Sequence, residues 1–513
     1  MFSKVNSMGL QGFSAELVYV EVDLSPGLPR FDLVGLPDSA VAESKERVRA
    51  AIKNCGLSFP ISRITVNLAP AEFRKEGPIY DLPILIAILI SSGQLKTCLS
   101  DCALLGELSL NGEVRRINGV LPMAIKARDS GIKNFFVPFE NSAEAAVVPG
   151  IDVYPVQTLE QLLNHLTGKE KISPLKGGYG WIARQKDNIE TIHSNDAGLD
   201  FADVVGQQAA KRALEVAAAG GHNVLLIGSP GSGKSMLAKR IQTILPDMSF
   251  DEAVSTTAVY SVAGILNAEI PLIATRPFRS PHHTVTDVAL SGGGRRAKPG
   301  EISLAHNGVL FLDELTMFSR DALETLRQPL EDGYITISRN AYTATYPGNI
   351  MLICAMNPCP CGYFLDPRKT CICSENARKK YLSKISGPLL DRIDIQVQVD
   401  PVDYESLINR SAKAENSSSI KIRVNKAREI QKKRFAGTEI NCNSQIPPSL
   451  IGKYCKLGSE PERIFLSALK TLNFSARAND KILRTARTIA DLASSEEICA
   501  EHISEAIQYR SKV

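Results

Sequence analysis

The chain has 513 residues, more than a single hydrophobic core usually serves, so we expect about two to four domains. With 44% hydrophobic and 22% charged residues it has the composition of a soluble globular protein, and its net charge of +4 favours anionic partners only weakly. The start MFSKVNSMGL does not resemble a signal peptide, and the longest apolar run, residues 82–90, is about half of a membrane span. We therefore expect no membrane association, and the 11 cysteines predict reduced thiols in the cytoplasm.

The predicted elements divide the chain into successive parts. Residues 1–168 alternate short β-like runs with helical stretches, which predicts an α+β domain. Residues 169–200 are rich in glycine and polar residues and predict a linker. Residues 201–400 alternate strand, glycine loop and helix, which is typical of a parallel α/β sheet. Residues 401–513 begin with a polar break and predict a C-terminal lid domain of amphipathic helices, so the whole chain is a multidomain α/β protein.

A phosphate-binding loop follows the first strand of the α/β region. The apolar strand 224–227 leads into Gly-x-x-x-x-Gly-Lys-Ser and a helix follows, which is the context that a P-loop requires. The glycines allow backbone N–H groups to point at phosphate oxygens. Lys234 is expected to reach the β- and γ-phosphates of ATP, and the Ser235 hydroxyl to bind Mg²⁺. The predicted ATP-binding residues are Gly228, Ser229, Pro230, Gly231, Ser232, Gly233, Lys234 and Ser235.

Acidic and amide side chains follow two further strands. The apolar residues 309–312 predict a buried strand that delivers Asp313 and Glu314 to the carboxyl edge of the sheet, where ligands bind. Asp313 is expected to hold Mg²⁺ through water, and Glu314 to orient and deprotonate the attacking water. A third strand ends at Asn357, whose amide would position the same water beside the γ-phosphate.

Arg392 lies after the third strand, in the sequence GPLLDRIDIQVQV. If it faces away from the ATP of its own subunit, it would act in a ring as an arginine finger for the neighbouring site, an effect of about 10³–10⁵ in rate. The alternative is a surface ion pair with Asp391 or Asp394, and the spacing alone does not separate the two interpretations.

The segment NPCPCGYFLDPRKTCIC, which begins at Asn357, holds several of the cysteines. The pattern C-P-C-x₉-C-x-C offers thiolates for a tetrahedral Zn²⁺ site, although C-x-C is tighter than the common C-x₂-C. Free thiols and an iron–sulfur cluster are the alternatives, since a disulfide within C-x-C would be strained. We predict a structural zinc ion that fixes the loop 359–373, which then braces Asn357 or presents Arg368 and Lys369 to DNA or a neighbouring subunit. The predicted ligands are Cys359, Cys361, Cys371 and Cys373.

Together these motifs resemble the YifB/ComM family of AAA+ ATPases, in the magnesium-chelatase-like branch. The resemblance covers residues 200–513, and residues 1–170 also look like the first domain of the family. It implies a homohexamer with Asn357 as sensor 1, Arg392 as the finger and Arg477 as sensor 2. It also implies a DNA helicase that drives branch migration of recombination intermediates during natural transformation. The stretches that carry the resemblance are GSPGSGKS, RPFRSPHHTVTDVALSGGG, PGEISLAHNGVLFLDEL, LRQPLEDG, AMNPCPCG, KISGPLLDRID and SARANDKILRTARTIADL.

The first domain of the family is similar to Lon proteases, so the resemblance implies a Lon-protease-like fold for residues 1–168. The position of the Lon nucleophilic serine holds Ile79, and the position of the lysine base holds Leu121. Neither side chain can attack a carbonyl or accept a proton. We therefore predict a catalytically inactive domain that assembles the ring or binds DNA, and we exclude a peptidase.

Two loops with basic residues are the candidate DNA contacts. The loop SGGGRRAKPG carries Arg295, Arg296 and Lys298, and residues 333–348 predict a β-hairpin with Arg339 near its tip. The related branch has inserts at these places that point into the ring, where cations would contact phosphates without sequence preference. The alternative for each arginine is a solvated loop or an ion pair between subunits.

Two further polar features are interpreted as structural. The adjacent His282 and His283 have no cysteine or acid at ligand spacing, which favours a structural role over a metal site. The basic helix KIRVNKAREIQKKRF is typical of a solvated helix face.

Two classes of function remain. The first is an ATP-driven hexameric motor that acts on branched or forked DNA without sequence preference. The second, implied by the chelatase resemblance, is a protein-remodelling ATPase that acts on a partner protein. The sequence has no apparent metal-adhesion module or porphyrin-binding feature, which favours the DNA motor. ATP and Mg²⁺ are expected in both cases, with Zn²⁺ as a structural ion.

Overall fold

The computed structural model describes residues 1–178, 198–294, 297–339, 342–364, 366–401, 415–472 and 475–510. The chain forms two compact units. The first contains the described part of Met1–Asn195 together with Phe250–Ala274 and Thr336–Tyr346, and the second contains the remaining described residues. Most of the predicted linker, residues 179–197, lies outside the described residues.

A mixed β-sheet is the framework of the first unit. Among the described residues it has eight strands in the order β10-β9-β8-β5-β1-β2-β4-β3. The first two strands of the chain pair antiparallel, whereas β5, β8 and β9 continue the sheet in parallel. The last strand, β10, pairs antiparallel with β9 inside the segment predicted as a linker. The strands of this sheet are β1 Phe2–Gln11, β2 Ser14–Ser25, β3 Arg30–Val34, β4 Arg63–Ala69, β5 Cys102–Leu104, β8 Asn134–Pro138, β9 Asp152–Val156 and β10 Leu175–Lys176. A separate two-stranded sheet is formed by β6 Glu107–Leu108 and β7 Val114–Arg115.

The helices of the first unit include the longest apolar run of the sequence. That run lies in the helix Asp81–Ser91, where the side chains of Leu82, Ile86 and Ile88 are fully buried. It is a core helix, and no helix of the described chain has both the length and the apolar character of a membrane span. The helices are Ser39–Ala42, Ser44–Asn54, Asp81–Ser91, Val120–Asp129, Ser142–Ala145, Leu159–Leu166 and Phe250–Ala263.

Two segments from the central part of the sequence pack in the first unit. The backbone N–H of Gly119 donates to the carbonyl of Ser261 in the helix Phe250–Ala263, at 3.0 Å. The predicted hairpin is present as the paired strands β16 Tyr334–Arg339 and β17 Tyr342–Pro347. Its Tyr346 ring lies 6.3 Å from the Phe13 ring, in an edge-to-face arrangement that stabilises aromatic pairs.

Ile79 and Leu121, which the sequence analysis compared with a Lon protease dyad, are buried in the first unit. Ile79 has 7% of its surface exposed and Leu121 none. Both are apolar core side chains.

A parallel sheet is the framework of the second unit. In the part of the chain that the structure describes, it has five strands in the order β12-β15-β18-β11-β19. The ends of the strands are aligned: Ile227 of β11 lies opposite Met356 of β18 and Gln398 of β19. The loops after these strands therefore open at one edge of the sheet. The strands of this unit are β11 Val224–Ile227, β12 Phe278–Arg279, β13 Gly292–Gly293, β14 Lys298–Pro299, β15 Val309–Leu312, β18 Met351–Met356 and β19 Ile395–Gln398.

The predicted C-terminal helices are present and share one hydrophobic core with the sheet. Val224 and Val309 of the sheet lie in the same buried cluster as Ile482 and Ile503 of these helices. A buried ion pair adds to this packing, because Lys481 Nζ lies 2.6 Å from Asp394 Oδ1. The helices of the second unit are Gln208–Gly220, Lys234–Arg240, Asp287–Ser291, Glu301–Leu304, Arg320–Glu324, Arg327–Asp332, Glu375–Leu382, Gly387–Leu390, Ser417–Arg434, Pro448–Tyr454, Ser459–Leu472, Ala476–Leu492 and Ala500–Gln508.

Candidate nucleotide site

The P-loop joins β11 to the helix Lys234–Arg240. Gly231 and Gly233 have φ angles of 75° and 93°, a conformation that glycine adopts without strain. The ammonium group of Lys234 donates to the carbonyl oxygens of Gly228, at 2.8 Å, and Ser229, at 2.9 Å. The loop therefore wraps around a cation at its centre, as phosphate binding requires.

Burial changes the protonation balance of Lys234. The side chain is only 8% exposed, and burial lowers the pKa of its ammonium group, while the carboxylates of Asp313 and Glu314 act in the opposite direction. The two acidic residues that follow β15 thus act on the charge of Lys234.

The predicted magnesium ligands lie side by side. Strand β15 ends at Leu312 and delivers Asp313 to the carboxyl edge of the sheet, next to the P-loop. The hydroxyl of Ser235 donates a 2.5 Å hydrogen bond to Asp313 Oδ2. A hydroxyl and a carboxylate at this spacing are the oxygen ligands that Mg²⁺ uses beside nucleotide phosphates.

Asn357 joins the same site. It follows β18, which lies between β15 and β11, and its Oδ1 lies 3.3 Å from Lys234 Nζ. The structure thus brings together Lys234, Ser235, Asp313 and Asn357, which the sequence places on three separate segments.

Glu314 has a strained backbone and a neighbour that the sequence analysis missed. Its φ angle of 52° lies in the left-handed region, which costs a non-glycine residue roughly 1–3 kcal/mol and is often found at functional sites. Its Oε2 lies 3.7 Å from Nδ1 of His283, and the rings of His282 and His283 are 4.1 Å apart. This neighbour could have been found only from the order of the strands in the sheet. Because β12 lies beside β15, the loop after Arg279, which contains His283, falls next to the residues after Leu312.

The two arginines implied by the family resemblance meet at one carboxylate. Arg392 Nη2 donates to Glu331 Oε2, and Arg477 Nη2 lies 4.0 Å from Glu331 Oε1. Arg392 Nη1 also donates to the carbonyl of Pro388, at 2.8 Å. These contacts do not involve the P-loop, and the partner of Arg392 is Glu331, not the Asp391 or Asp394 that the sequence alternative named.

The candidate DNA contacts are described only in part. Lys298 lies in β14, which pairs with β13, and its side chain is exposed. Arg295 and Arg296 lie outside the described residues. Arg339 ends β16, and its side chain also lies outside the description.

The cysteine loop connects β18 to the helix Glu375–Leu382. The sulfur atoms of its four cysteines all lie within 4.8 Å of one another. The Sγ of Cys371 lies 3.7 Å from the Sγ of both Cys359 and Cys361, and those two are 3.4 Å apart. A tetrahedral ion with Zn–S bonds of about 2.3 Å places its ligands about 3.8 Å apart. The spacing fits such an ion, and all four cysteines are free of disulfides.

One thiol of the cluster is favoured as a thiolate. The backbone N–H of Tyr363 lowers the pKa of Cys361 to about 6. A thiolate is the form that binds metals. The four ligands are Cys359, which is buried, and the half-buried Cys361, Cys371 and Cys373.

Three stretches of the chain match families of magnesium chelatase. Residues 200–407 match the family described as magnesium chelatase, subunit ChlI. Residues 20–141 match subunit ChlI of Mg-chelatase, and residues 414–510 match the C-terminal part of magnesium chelatase subunit ChlI.

Whole proteins are similar along almost the full chain. Competence protein ComM of Haemophilus influenzae is 42% identical over 513 residues, 99% of this chain and 97% of that protein. Protein YifB of Escherichia coli is 40% identical over 513 residues, with the same coverage of 99% and 97%. The magnesium-chelatase 67 kDa subunit of Chlorobaculum parvum is 29% identical over 213 residues, 40% of this chain and 28% of that protein. The chain belongs to the YifB/ComM family, in the magnesium-chelatase-like branch of the AAA+ ATPases.

Proposed function

We propose that the chain is an ATP-driven hexameric motor that promotes branch migration of recombination intermediates, as in natural transformation. The observation that carries the proposal is the meeting of Lys234, Ser235, Asp313 and Asn357 at one sheet edge. The full-length similarity to a protein named for competence supports the recombination role.

The side chains at the sheet edge divide the work of hydrolysis. Lys234 would neutralise charge on the β- and γ-phosphates, and Ser235 and Asp313 would hold Mg²⁺. Glu314 would accept a proton from the attacking water, whose oxygen forms the new bond to the γ-phosphorus while the bond to the ADP oxygen breaks. Asn357 would hold that water in line. The predicted role of Glu314 is supported by its placement directly after Asp313, to which its backbone N–H donates at 2.9 Å.

Arg392 and Arg477 would complete the site of a neighbouring subunit. Their shared contact with Glu331 holds both guanidinium groups together on one part of the subunit. A charged finger supplied across an interface makes hydrolysis depend on assembly. A homohexamer with Arg392 as the finger and Arg477 as sensor 2 is therefore part of the proposal.

DNA would bind through phosphate contacts that carry no sequence information. The proposed contacts are Lys298, Arg295 and Arg296 in one loop and Arg339 in the hairpin. The exposed position of Lys298 supports this assignment.

The cysteine cluster would hold one structural Zn²⁺. Its Sγ–Sγ distances support a tetrahedral thiolate site better than free thiols, because free thiols gain nothing from meeting in one place. Such a site needs reduced cysteines, so a cytoplasmic location belongs to the same proposal.

A protein-remodelling ATPase acting on a partner protein is the second candidate. The similarity to a magnesium-chelatase 67 kDa subunit favours it, although that similarity covers 40% of this chain.

The effect of forked DNA on ATP turnover distinguishes the DNA motor from the protein-remodelling ATPase. Turnover is measured with and without forked DNA at several salt concentrations, using wild type, Lys298→Ala and Lys234→Ala. The DNA motor predicts stimulation that falls with salt, is weaker in Lys298→Ala and is lost with all turnover in Lys234→Ala. ATP turnover that does not change on addition of DNA at any salt concentration would contradict the DNA motor and favour protein remodelling.

A further inference from the structure

The cysteine loop is packed directly on the P-loop. A Cβ atom at Gly362 would lie 2.6 Å from Cδ of Pro230, so the two loops touch with no room for a side chain. Gly362 also has a φ of 85°, which glycine alone adopts readily. Gly362 directly follows Cys361, so the contact is set by the same short turn that carries the predicted zinc ligands.

A buried carboxylate makes the second contact between the loops. The side chain of Ser229, the second residue of the P-loop, helps to lower the pKa of the Asp366 carboxyl, so the two side chains are neighbours. The backbone N–H of Arg368 donates to Asp366 Oδ1 at 2.8 Å, and the Arg368 side chain lowers the pKa of Asp366 to about 2. The group beside Ser229 is therefore an ionised carboxylate, which favours a polar contact with the Ser229 hydroxyl.

These contacts bear on the nucleotide, because Ser229 also orients the catalytic cation. The carbonyl of Ser229 accepts the 2.9 Å hydrogen bond from Lys234 Nζ. A shift of Ser229 would move both the backbone that surrounds the phosphates and a partner of Lys234. The described residues between Cys361 and Cys371 form neither helix nor strand, so the cysteine cluster at both ends of the loop would help to keep Asp366 in place.

We propose that the cysteine loop, held in shape by zinc, braces the P-loop, with Asp366 as a positioning residue for Ser229, so that zinc occupancy sets the affinity for nucleotide. The inference rests on the proposed zinc site and adds a second role to it. Because binding free energies are reciprocal, bound nucleotide also raises the affinity for zinc by the same factor.

The test measures metal content and nucleotide affinity on the full-length protein. Zinc and iron are counted by elemental analysis, and the affinity for a fluorescent ADP analogue is measured in excess Mg²⁺. Wild type is compared before zinc removal, after removal by a chelator with low affinity for Mg²⁺, and after zinc is added back. We expect about one zinc per chain, about a 10-fold rise in Kd on removal, and recovery on addition.

Two variants distinguish the effect of the loop on nucleotide affinity from its ability to bind zinc. Asp366→Ala should keep its zinc and raise the Kd for nucleotide about 10-fold, because the contacts with Ser229 and Arg368 are removed while the four cysteines stay in place. Glu375→Gln is the matched control, since Glu375 is exposed, pairs with Lys379 at 2.7 Å and belongs to the next helix. It should match wild type in both measurements.

The possible results distinguish a wrong zinc site, a wrong role for the loop and a wrong proposed function. Wild type without zinc, or with iron and absorbance near about 400 nm, overturns the zinc site and with it the inference. Zinc present but an unchanged Kd after removal and in Asp366→Ala overturns the brace and leaves a zinc site that is purely structural. Wild type that binds no nucleotide in any metal state contradicts the proposed ATPase itself.

Discussion

The hydroxyl of Ser235 lies 2.5 Å from Oδ2 of Asp313, although one residue begins a helix after the P-loop and the other follows a different strand. The sheet thus holds together the two proposed oxygen ligands of Mg²⁺. We expect Asp313→Asn to lower ATP turnover by about 10²–10³-fold and to raise the Mg²⁺ concentration needed for it, because a charge that stabilises the metal is lost.

Turnover measured across a Mg²⁺ titration checks this prediction. Asp321→Asn is the control, because Asp321 is an exposed residue in the first turn of the helix Arg320–Glu324. An Asp313 variant with the Mg²⁺ dependence of wild type would rule out a metal role for this carboxylate.

His283 is expected to tune Glu314, the proposed proton acceptor. Its Nδ1 is 3.7 Å from Glu314 Oε2, close enough for an ion pair when the ring is protonated. Because exposed pairs contribute at most about 1 kcal/mol, removing His283 should change turnover no more than about 5-fold. We expect His283→Ala to raise turnover without DNA and to reduce the ratio of DNA-stimulated to basal turnover.

The adjacent histidine is the control for this measurement. His282 Nδ1 lies 2.9 Å from the hydroxyl of Thr284, so His282→Ala should keep the wild-type ratio. If both variants keep it, the contact between His283 and Glu314 has no part in the coupling to DNA.

Arg392 and Arg477 allow a test of catalysis across subunits. We expect Arg392→Ala to lower turnover by about 10³–10⁵-fold, because the finger stabilises charge in the transition state. Mixing it with Glu314→Gln, itself inactive, should restore part of the activity. In a mixed ring, a site with an intact Glu314 can receive Arg392 from the neighbouring subunit.

The same mixing experiment with Arg477→Ala tests sensor 2. Recovery would place Arg477 across the interface together with Arg392, as their common contact with Glu331 suggests. Failure of both arginine variants to recover activity, with hexamers verified by their mass, would contradict a finger supplied between subunits.

Asp81 gives the first unit a pH-dependent stability. Burial raises the pKa of its carboxyl from 3.8 to about 6, against the opposing effect of Arg47, whose Nε lies 2.6 Å from Oδ2. The folded state then binds the proton more tightly than the unfolded chain, so stability falls as pH rises from about 4 to about 6. The shift corresponds to about 3 kcal/mol.

Unfolding by urea between about pH 4.5 and about pH 7 checks this sign. Wild type should lose stability with rising pH relative to Asp81→Asn, which cannot ionise. The exposed Asp129, replaced by Asn, should leave the pH dependence of wild type unchanged. A constant difference between wild type and Asp81→Asn over this range would show that the carboxyl does not titrate there.

Motifs with a fixed local context were predictable from the sequence. The strands Val224–Ile227 and Val309–Leu312 have the predicted bounds, because each is a short apolar run that ends at a glycine loop or at acidic residues. Parallel pairing then places their ends together, so the contact between Ser235 and Asp313 followed from the pattern.

Contacts between distant segments were not predictable in the same way. The pairing of Arg477 with Glu331 depends on how a C-terminal helix packs, and spacing carries no information about that. The packing of Phe250–Ala274 and Thr336–Tyr346 in the first unit depends on side chains such as Phe13 and Tyr346, which only the folded chain brings together. No pattern in the sequence indicated that Asp366 would be a neighbour of Ser229.

The dissociation of a labelled Holliday junction with ATP measures whether the chain is a branch-migration motor. Wild type and Glu314→Gln are compared at equal concentration, with ATP turnover recorded in the same samples. We expect wild type to separate the junction and Glu314→Gln to bind it without separating it, because the proton acceptor for the attacking water is lost. Wild type that hydrolyses ATP in the presence of Mg²⁺ and leaves the junction intact would contradict the branch-migration motor.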